Sequence, residues 1–301
     1  MAIAHINGTE LFYECVGDGP PLLLIHGLGS SGDDWAFQRE QFAARHRLLL
    51  VDLRGSGRSA KPPGPYSIAG FADDLWCLLE RLGIVRTDVL GFSLGGSVAL
   101  EMALAQPARV RRLVLCNALA DYRIDTVRKW LEAYLQLTLV RAIGMRHTGR
   151  LIARRMFPRP EQAPMRARLV SVLGANPLAA YVATVRAIIG WSALERLPAL
   201  ACETLILAAE HDYTPLAQRR AEAQQMRAAE IVVVPGSRHG TPFDATERFN
   251  ALTLDFFARP EGDAADSARA DAAADASPGD VGTVEVEETS GVVRLHPREH
   301  A

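Results

Sequence analysis

The chain has 301 residues, 49% hydrophobic and 23% charged, with a formal net charge of -2. That length suits one α/β domain of ~250 residues with a segment to spare, the composition is that of a soluble globular protein, and the near-neutral charge excludes a broad nucleic-acid-binding surface. No run approaches ~18 consecutive apolar residues, and Met1 to Ile6 lacks a basic segment followed by an apolar leader, so a cytoplasmic protein with no membrane span is expected.

In chain order, Ile3–Val16 alternates in polarity around Asn7–Gly8 and predicts an antiparallel hairpin at a sheet edge. Pro21–Ile25, Leu48–Val51, Asp88–Gly91, Leu113–Asn117, Thr204–Ala208 and Ile231–Val234 are short apolar runs, predicted as buried strands. Between them, helical spacing predicts an amphipathic helix over Tyr66–Leu82 and a small apolar one over Gly95–Ala105, with two more over Leu216–Met226 and Ala245–Phe257. This alternation predicts an α/β fold with a mostly parallel sheet covered on both faces. Asp121–Ile189 breaks the rhythm. It is helical in pattern without a strand, and an insertion at that point would overhang the carboxyl ends of the sheet. The predicted organisation is a core over residues 1–120 and 191–259, a helical cap over 121–190 and a tail over 260–301. The tail is rich in small and acidic residues, which predicts disorder apart from a short strand pattern at Val281–Val293. Cys15, Cys77, Cys116 and Cys202 are far apart and fit no zinc or CxxC spacing, so reduced thiols and no metal site are expected.

Gly91-Phe92-Ser93-Leu94-Gly95 has the form G-x-S-x-G between an apolar strand and a small-residue helix. In that context the serine sits on a tight strand-to-helix turn, its hydroxyl clear of the sheet, and the glycines keep neighbouring backbone from colliding. A serine needs a base to become a nucleophile. His239 follows the last predicted core strand and is placed to take the Ser93 proton. Asp212 follows the preceding strand and is placed to orient His239 through its Nδ1 proton. Glu210 is the rival acid, nearer the strand body. The backbone N–H groups of Leu28, in the loop His26-Gly27-Leu28-Gly29, and of Leu94 are the expected oxyanion donors. His26 is read as a support for that loop.

These pieces resemble the α/β-hydrolase superfamily of small bacterial serine hydrolases. The likeness covers roughly residues 1–258 and is carried by HGLGSSGDDW (26–35), VDLRGSGRS (51–59), GFSLGG (91–96), AEHDYTP (209–215) and GSRHGTP (236–242). It implies a mostly parallel eight-stranded sheet and no cofactor. It also implies a structural role for the Asp52-Leu53-Arg54-Gly55 turn and a place in the pocket for Trp35. Ser93, where dehalogenases and epoxide hydrolases of this fold carry Asp, argues against both. Gly240, where many carbon–carbon hydrolases carry Trp, argues against those. The expected reaction is cleavage of an ester-type acyl bond, by a carboxylesterase or lactonase, through an acyl-enzyme. A thioesterase, perhydrolase or acyltransferase would use the same machinery, and a non-catalytic ligand-binding member is the reading from a different class.

The cap adds a charge signal. Asp121 to Gly190 holds twelve basic and four acidic residues, a local excess of 12 − 4 = +8 in a chain of net -2. This fits attraction of an anionic acyl substrate, or a solvated arginine face with its stems packed on the cap. The apolar residues between the arginines, Leu135 and Leu139 among them, are expected to line the substrate pocket. A small-molecule partner follows, with the oligomeric state left open.

Overall fold

The computed structural model describes residues 1–260 and the backbone of Arg294–Leu295. Strands β1 (Ala2–Ile6) and β2 (Thr9–Val16) form the expected hairpin, turned by Asn7 and Gly8 at φ 47° and 71°. The other strands are β3 (Pro21–Ile25), β4 (Arg47–Val51), β5 (Thr87–Phe92), β6 (Val110–Cys116), β7 (Glu203–Ala209), β8 (Ala229–Val234) and the two-residue β9 (Arg294–Leu295). They form one sheet in the order β1-β2-β4-β3-β5-β6-β7-β8-β9. Strands β3 to β8 are parallel to their neighbours, while β2 and β9 pair antiparallel. The predicted tail otherwise lies outside the described residues.

The core helices are α1 (Arg39–Ala43), α2 (Ile68–Arg81) and α3 (Leu94–Ala105). The inserted ones are α4 (Val127–Met156), α5 (Ala163–Gly174) and α6 (Leu178–Ile188). Then come α7 (Leu216–Ala223), α8 (Thr241–Asp244) and α9 (Thr246–Ala258). Strand side chains alternate between faces, and here both faces are apolar. Leu23, Ile25, Val89 and Leu113 pack with residues of α2 and α3. Their neighbours Leu22, Leu24, Leu90 and Val114 pack with Phe42 of α1 and Phe249 and Phe256 of α9. Burial on both sides is what a parallel sheet requires.

Strand order reverses at β3, which lies between β4 and β5. The chain leaves β3 toward one edge and returns to its other side, so the loops after β3 and β5 diverge and leave a crevice at the carboxyl ends, where ligands of open α/β sheets bind. The insert closes over this crevice. Its ends meet in a narrow neck, where Tyr122 N–H donates to Trp191 O (2.8 Å) and Gly190 N–H to Tyr122 O (3.0 Å). Helix α4 breaks at Gly144 (φ 71°, ψ 171°), and α4 to α6 share a small core of Val140, Met145, Leu173, Tyr181 and Val185. Asn176 Nδ2 donates to Gly29 O (2.5 Å), tying the cap to the loop after β3.

Glu222 of α7 is buried beneath the neck, where its carboxylate accepts from Ala120 N–H (3.1 Å) and Gln218 Nε2 (3.0 Å). Burial pushes its carboxyl up to about 7. A raised carboxyl makes the folded state hold a proton that the unfolded chain has released, so stability falls as pH rises from about 4.5 to 7. Glu222→Gln should remove this slope. In paired melts at pH 5 and pH 8 the variant should regain stability at pH 8, by about 3 kcal/mol at most. An identical pH response in wild type and variant would show that Glu222 does not carry the slope.

Candidate active site

Strand β5 delivers Ser93 to the crevice. The residue has φ 54° and ψ -120°, immediately before α3, and its N–H donates to Cys116 O of the adjacent strand end (2.8 Å). The turn is tight enough to dictate its glycines. A Cβ on Gly91 would lie 2.2 Å from Gly95 O, and one on Gly95 would lie 2.1 Å from Ile25 O. Such a positive-φ serine is strained, and strain of this kind persists only where the surroundings fix it.

His239 hangs from the loop after β8, with Nε2 2.9 Å from Ser93 Oγ and Nδ1 2.9 Å from Asp212 Oδ1. With the proton on Nδ1, the ring donates to Asp212 and accepts from the serine hydroxyl. Asp212 follows β7 and is buried. Burial alone would raise its carboxyl. The hydrogen bond and charge of His239, the Thr214 hydroxyl (2.6 Å) and the Arg219 guanidinium (3.2 Å) together hold it below the ordinary aspartate value. Glu210 turns away, accepting from Gly236 N–H (2.8 Å) in the loop that carries His239.

Three residues that sequence reasoning did not single out hold this arrangement. Asn117, at positive φ just past β6, donates to His239 O (2.8 Å) and Thr241 Oγ1 (2.7 Å). Its Oδ1 accepts from Ala209 N–H (2.8 Å) and Arg219 Nη1 (2.9 Å), so one amide ties three strand ends together. Arg219, buried on α7, also donates to Thr214 O (2.9 Å). The Tyr213 ring lies over the His239 imidazole, with centroids 4.2 Å apart, and the Arg155 guanidinium of α4 lies 4.7 Å from the centroid of the Tyr213 ring. An asparagine at the end of a strand and an arginine one turn into α7 were the available signals, but both are common in structural roles.

The loop after β3 approaches from the opposite side. Leu28 and Leu94 line the same cavity as Ser93, and Leu94 is the first residue of α3, where an N–H has no acceptor within the helix. His26 is fully buried. Its Nδ1 lies 2.7 Å from Gly27 O and its Nε2 accepts from Leu53 N–H (3.0 Å), so it braces the loop. In the Asp52 turn, the carboxylate accepts from Gly32 N–H (2.7 Å) and pairs with Arg58 (2.8 Å), away from the reacting groups.

The cavity above Ser93 has a volume of about 760 Å³, with Phe37, Phe92 and Leu119 on the core side and Ile152, Leu169 and Tyr181 on the cap side. The three pocket residues expected from sequence are not among its walls, and this corrects that reading. Trp35 is buried beneath, stacked on Phe249, and its neighbours Asp34 and Phe37 take its place. Leu135 and Leu139 are about half-exposed on the outer side of α4. The helix is apolar on both sides, so apolar spacing alone could not tell which side turned inward. The cap's charge excess is not concentrated in the cavity either, where Arg123, Lys129 and Arg168 are balanced by Asp34, Asp121 and Glu132. Among the described residues no group of three or more His, Cys, Asp or Glu could hold a metal ion, and no single helix is long and apolar enough to cross a membrane.

A doubly covered parallel sheet with a serine-bearing strand-to-helix turn and an insert after β6 defines a hydrolase of the α/β-hydrolase class. Residues 20–146 match the family model for the alpha/beta hydrolase fold, and the chain belongs to that family. A relative from Caulobacter sp. (strain K31), named as a putative carbamate hydrolase RutD, is 30% identical over 260 residues, covering 82% of this chain and 95% of that protein. A protein of the same name from Azorhizobium caulinodans is 41% identical over 120 residues, 40% of this chain but only 45% of the relative's length. The crystal structure of the enol-lactonase from Burkholderia xenovorans LB400 superposes with a TM-score of 0.79 at 27% identity, covering 86% of this chain and 100% of that one.

Proposed function

We propose that this hydrolase cleaves an ester-type acyl bond, in a carboxylic ester or lactone, through an acyl-enzyme on Ser93. The observation that carries the reading is the continuous contact from Ser93 Oγ through His239 to Asp212, with both links at 2.9 Å. Ser93 Oγ attacks the carbonyl carbon while His239 Nε2 takes the hydroxyl proton, leaving the carbonyl oxygen as an alkoxide that the Leu28 and Leu94 N–H groups receive. When the tetrahedral centre collapses, the bond to the leaving oxygen breaks and His239 returns the proton to it. Water, deprotonated by the same imidazole, then releases the acid and restores Ser93. Asp212 stays ionised throughout, consistent with its lowered carboxyl.

The names of the relatives favour a second reading, hydrolysis of a carbamate, whose carbonyl would be attacked in the same way. The large, mainly apolar cap wall favours an ester with a longer acyl group. The deciding experiment is a kcat/KM series over p-nitrophenyl esters of increasing chain length, with lactones and carbamates alongside, and active-site labelling with a fluorophosphonate. Esters or lactones should be the better substrates, and Leu169→Ala, which opens the cap wall, should move the preferred chain length upward while labelling changes less than tenfold. Turnover of carbamates alone would select the second reading, and a protein that neither labels nor turns over any of them would not be a serine hydrolase.

A further inference from the structure

Helix α4 is apolar on the side that faces away from the protein. At 3.6 residues per turn, Val127, Leu131, Tyr134 and Leu135 fall on one face, with Trp130 and Leu139 at its edges, and they are 47% to 84% exposed. The opposite side buries Val140 and packs Leu137 into the cap. A surface helix ordinarily turns its polar side to solvent, and a contiguous exposed apolar strip of this kind marks an interaction surface. Trp130 and Tyr134 stack along it, with ring centroids 5.5 Å apart and planes within 8°.

We propose that this face of α4 docks on an anionic lipid bilayer, lying in the interface without crossing it. Charge selects this occupant. The helix carries seven basic residues against Glu132 alone. Arg128 and Arg141 flank the strip, and Arg146, Arg150 and Arg154 continue beyond Gly144, all of them exposed. Among the described residues only Arg128 and Lys129 of this helix have carboxylate partners, Glu132 and Asp125, one turn away. An apolar face with Trp, Tyr and Leu, bordered by arginines, is the composition of helices that rest in the headgroup region of acidic membranes. A second copy meeting this face about a two-fold axis would set arginines against arginines. The balanced charge inside the cavity leaves the cap's excess on its outer surface, where a lipid headgroup would meet it.

The inner side of the same helix, through Lys129, Ala133 and Gln136, lines the cavity over Ser93, so docking would bring the cavity's cap wall to the bilayer. The inference stands on the outer face alone and is independent of the chemistry at Ser93. The test is cosedimentation of the full chain with vesicles of pure phosphatidylcholine and of phosphatidylcholine with about 30 mol% phosphatidylglycerol. The protein should bind the anionic vesicles, lose most of that binding in high salt and leave the neutral vesicles unbound. The double variants Leu131→Glu/Tyr134→Glu and Arg141→Glu/Arg146→Glu should each weaken binding at least tenfold, with unchanged melting temperature and unchanged turnover of a soluble short ester. Trp emission should shift to the blue on binding in wild type but not in Trp130→Phe. No binding by wild type would overturn the proposal. So would full retention by both double variants, or a dimer that Leu131→Glu splits, since a second copy would then cover the face. If wild type fails and a chain without its acidic residues 261–293 binds, the segment itself is the occupant and the proposal also falls.

Discussion

Ser93→Ala should lower kcat on the best ester by a factor on the order of 10⁶, as removal of the nucleophile does in a serine protease, while leaving the protein folded. Among the described residues the hydroxyl makes one hydrogen bond, to His239, so the core loses little when it goes. Backbone strain gives a second readout. At φ 54° and ψ -120° alanine is as strained as serine, whereas glycine is not, so Ser93→Gly should be equally inactive yet more stable than Ser93→Ala by about 1–2 kcal/mol. The checks are kcat on purified proteins and urea unfolding of both variants. Turnover by Ser93→Ala within a few-fold of wild type would remove Ser93 from the mechanism.

Asp212→Asn should combine a kinetic and a thermodynamic loss. An amide at this position favours the wrong His239 tautomer, for which a loss of about 10⁴ in kcat is expected. It also leaves Arg219, a buried cation 3.2 Å away, without its carboxylate. Removing one partner of a buried pair costs about 3–5 kcal/mol, here reduced by the bonds Arg219 keeps to Asn117 and Thr214. Asp212→Asn should therefore melt below Ser93→Ala. The sign with pH follows from the lowered carboxyl. Its stabilisation is present above the ordinary value of 3.8 and is lost as pH falls through the folded-state value, so wild type and variant should converge only in acid. Glu210→Gln loses only part of an exposed bond to Gly236 and should keep activity within tenfold. A crippled Glu210→Gln beside an active Asp212→Asn would reassign the acid.

Most of the strands were legible because a doubly covered parallel sheet writes itself as apolar runs, and Pro21–Ile25 coincides with β3 to the residue. Ser93, His239 and Asp212 were legible because each follows a strand end, and a parallel sheet brings such ends to one edge. The cap was legible as helices but not in its facing. Leu135 and Leu137 are two residues apart, on opposite sides of α4, and nothing in an apolar run says which of them the core will claim. Asn117, Arg219 and Tyr213 were hidden for another reason. Their importance lies in contacts between segments about a hundred residues apart or in the stacking of rings, and neither leaves a spacing to read.

The neck where the insert begins and ends has a consequence for how this protein could diversify. Because Tyr122, Gly190 and Trp191 bring both ends together within hydrogen-bonding distance, the pairing of β6 with β7 requires of the insert only that its two attachment points lie side by side. A longer or shorter insert would change the entropy of closing that loop only logarithmically and would not alter the pairing of β6 with β7. The helices above the crevice can thus drift or be replaced, exchanging one set of cavity walls for another, while the residues at the strand ends keep their positions.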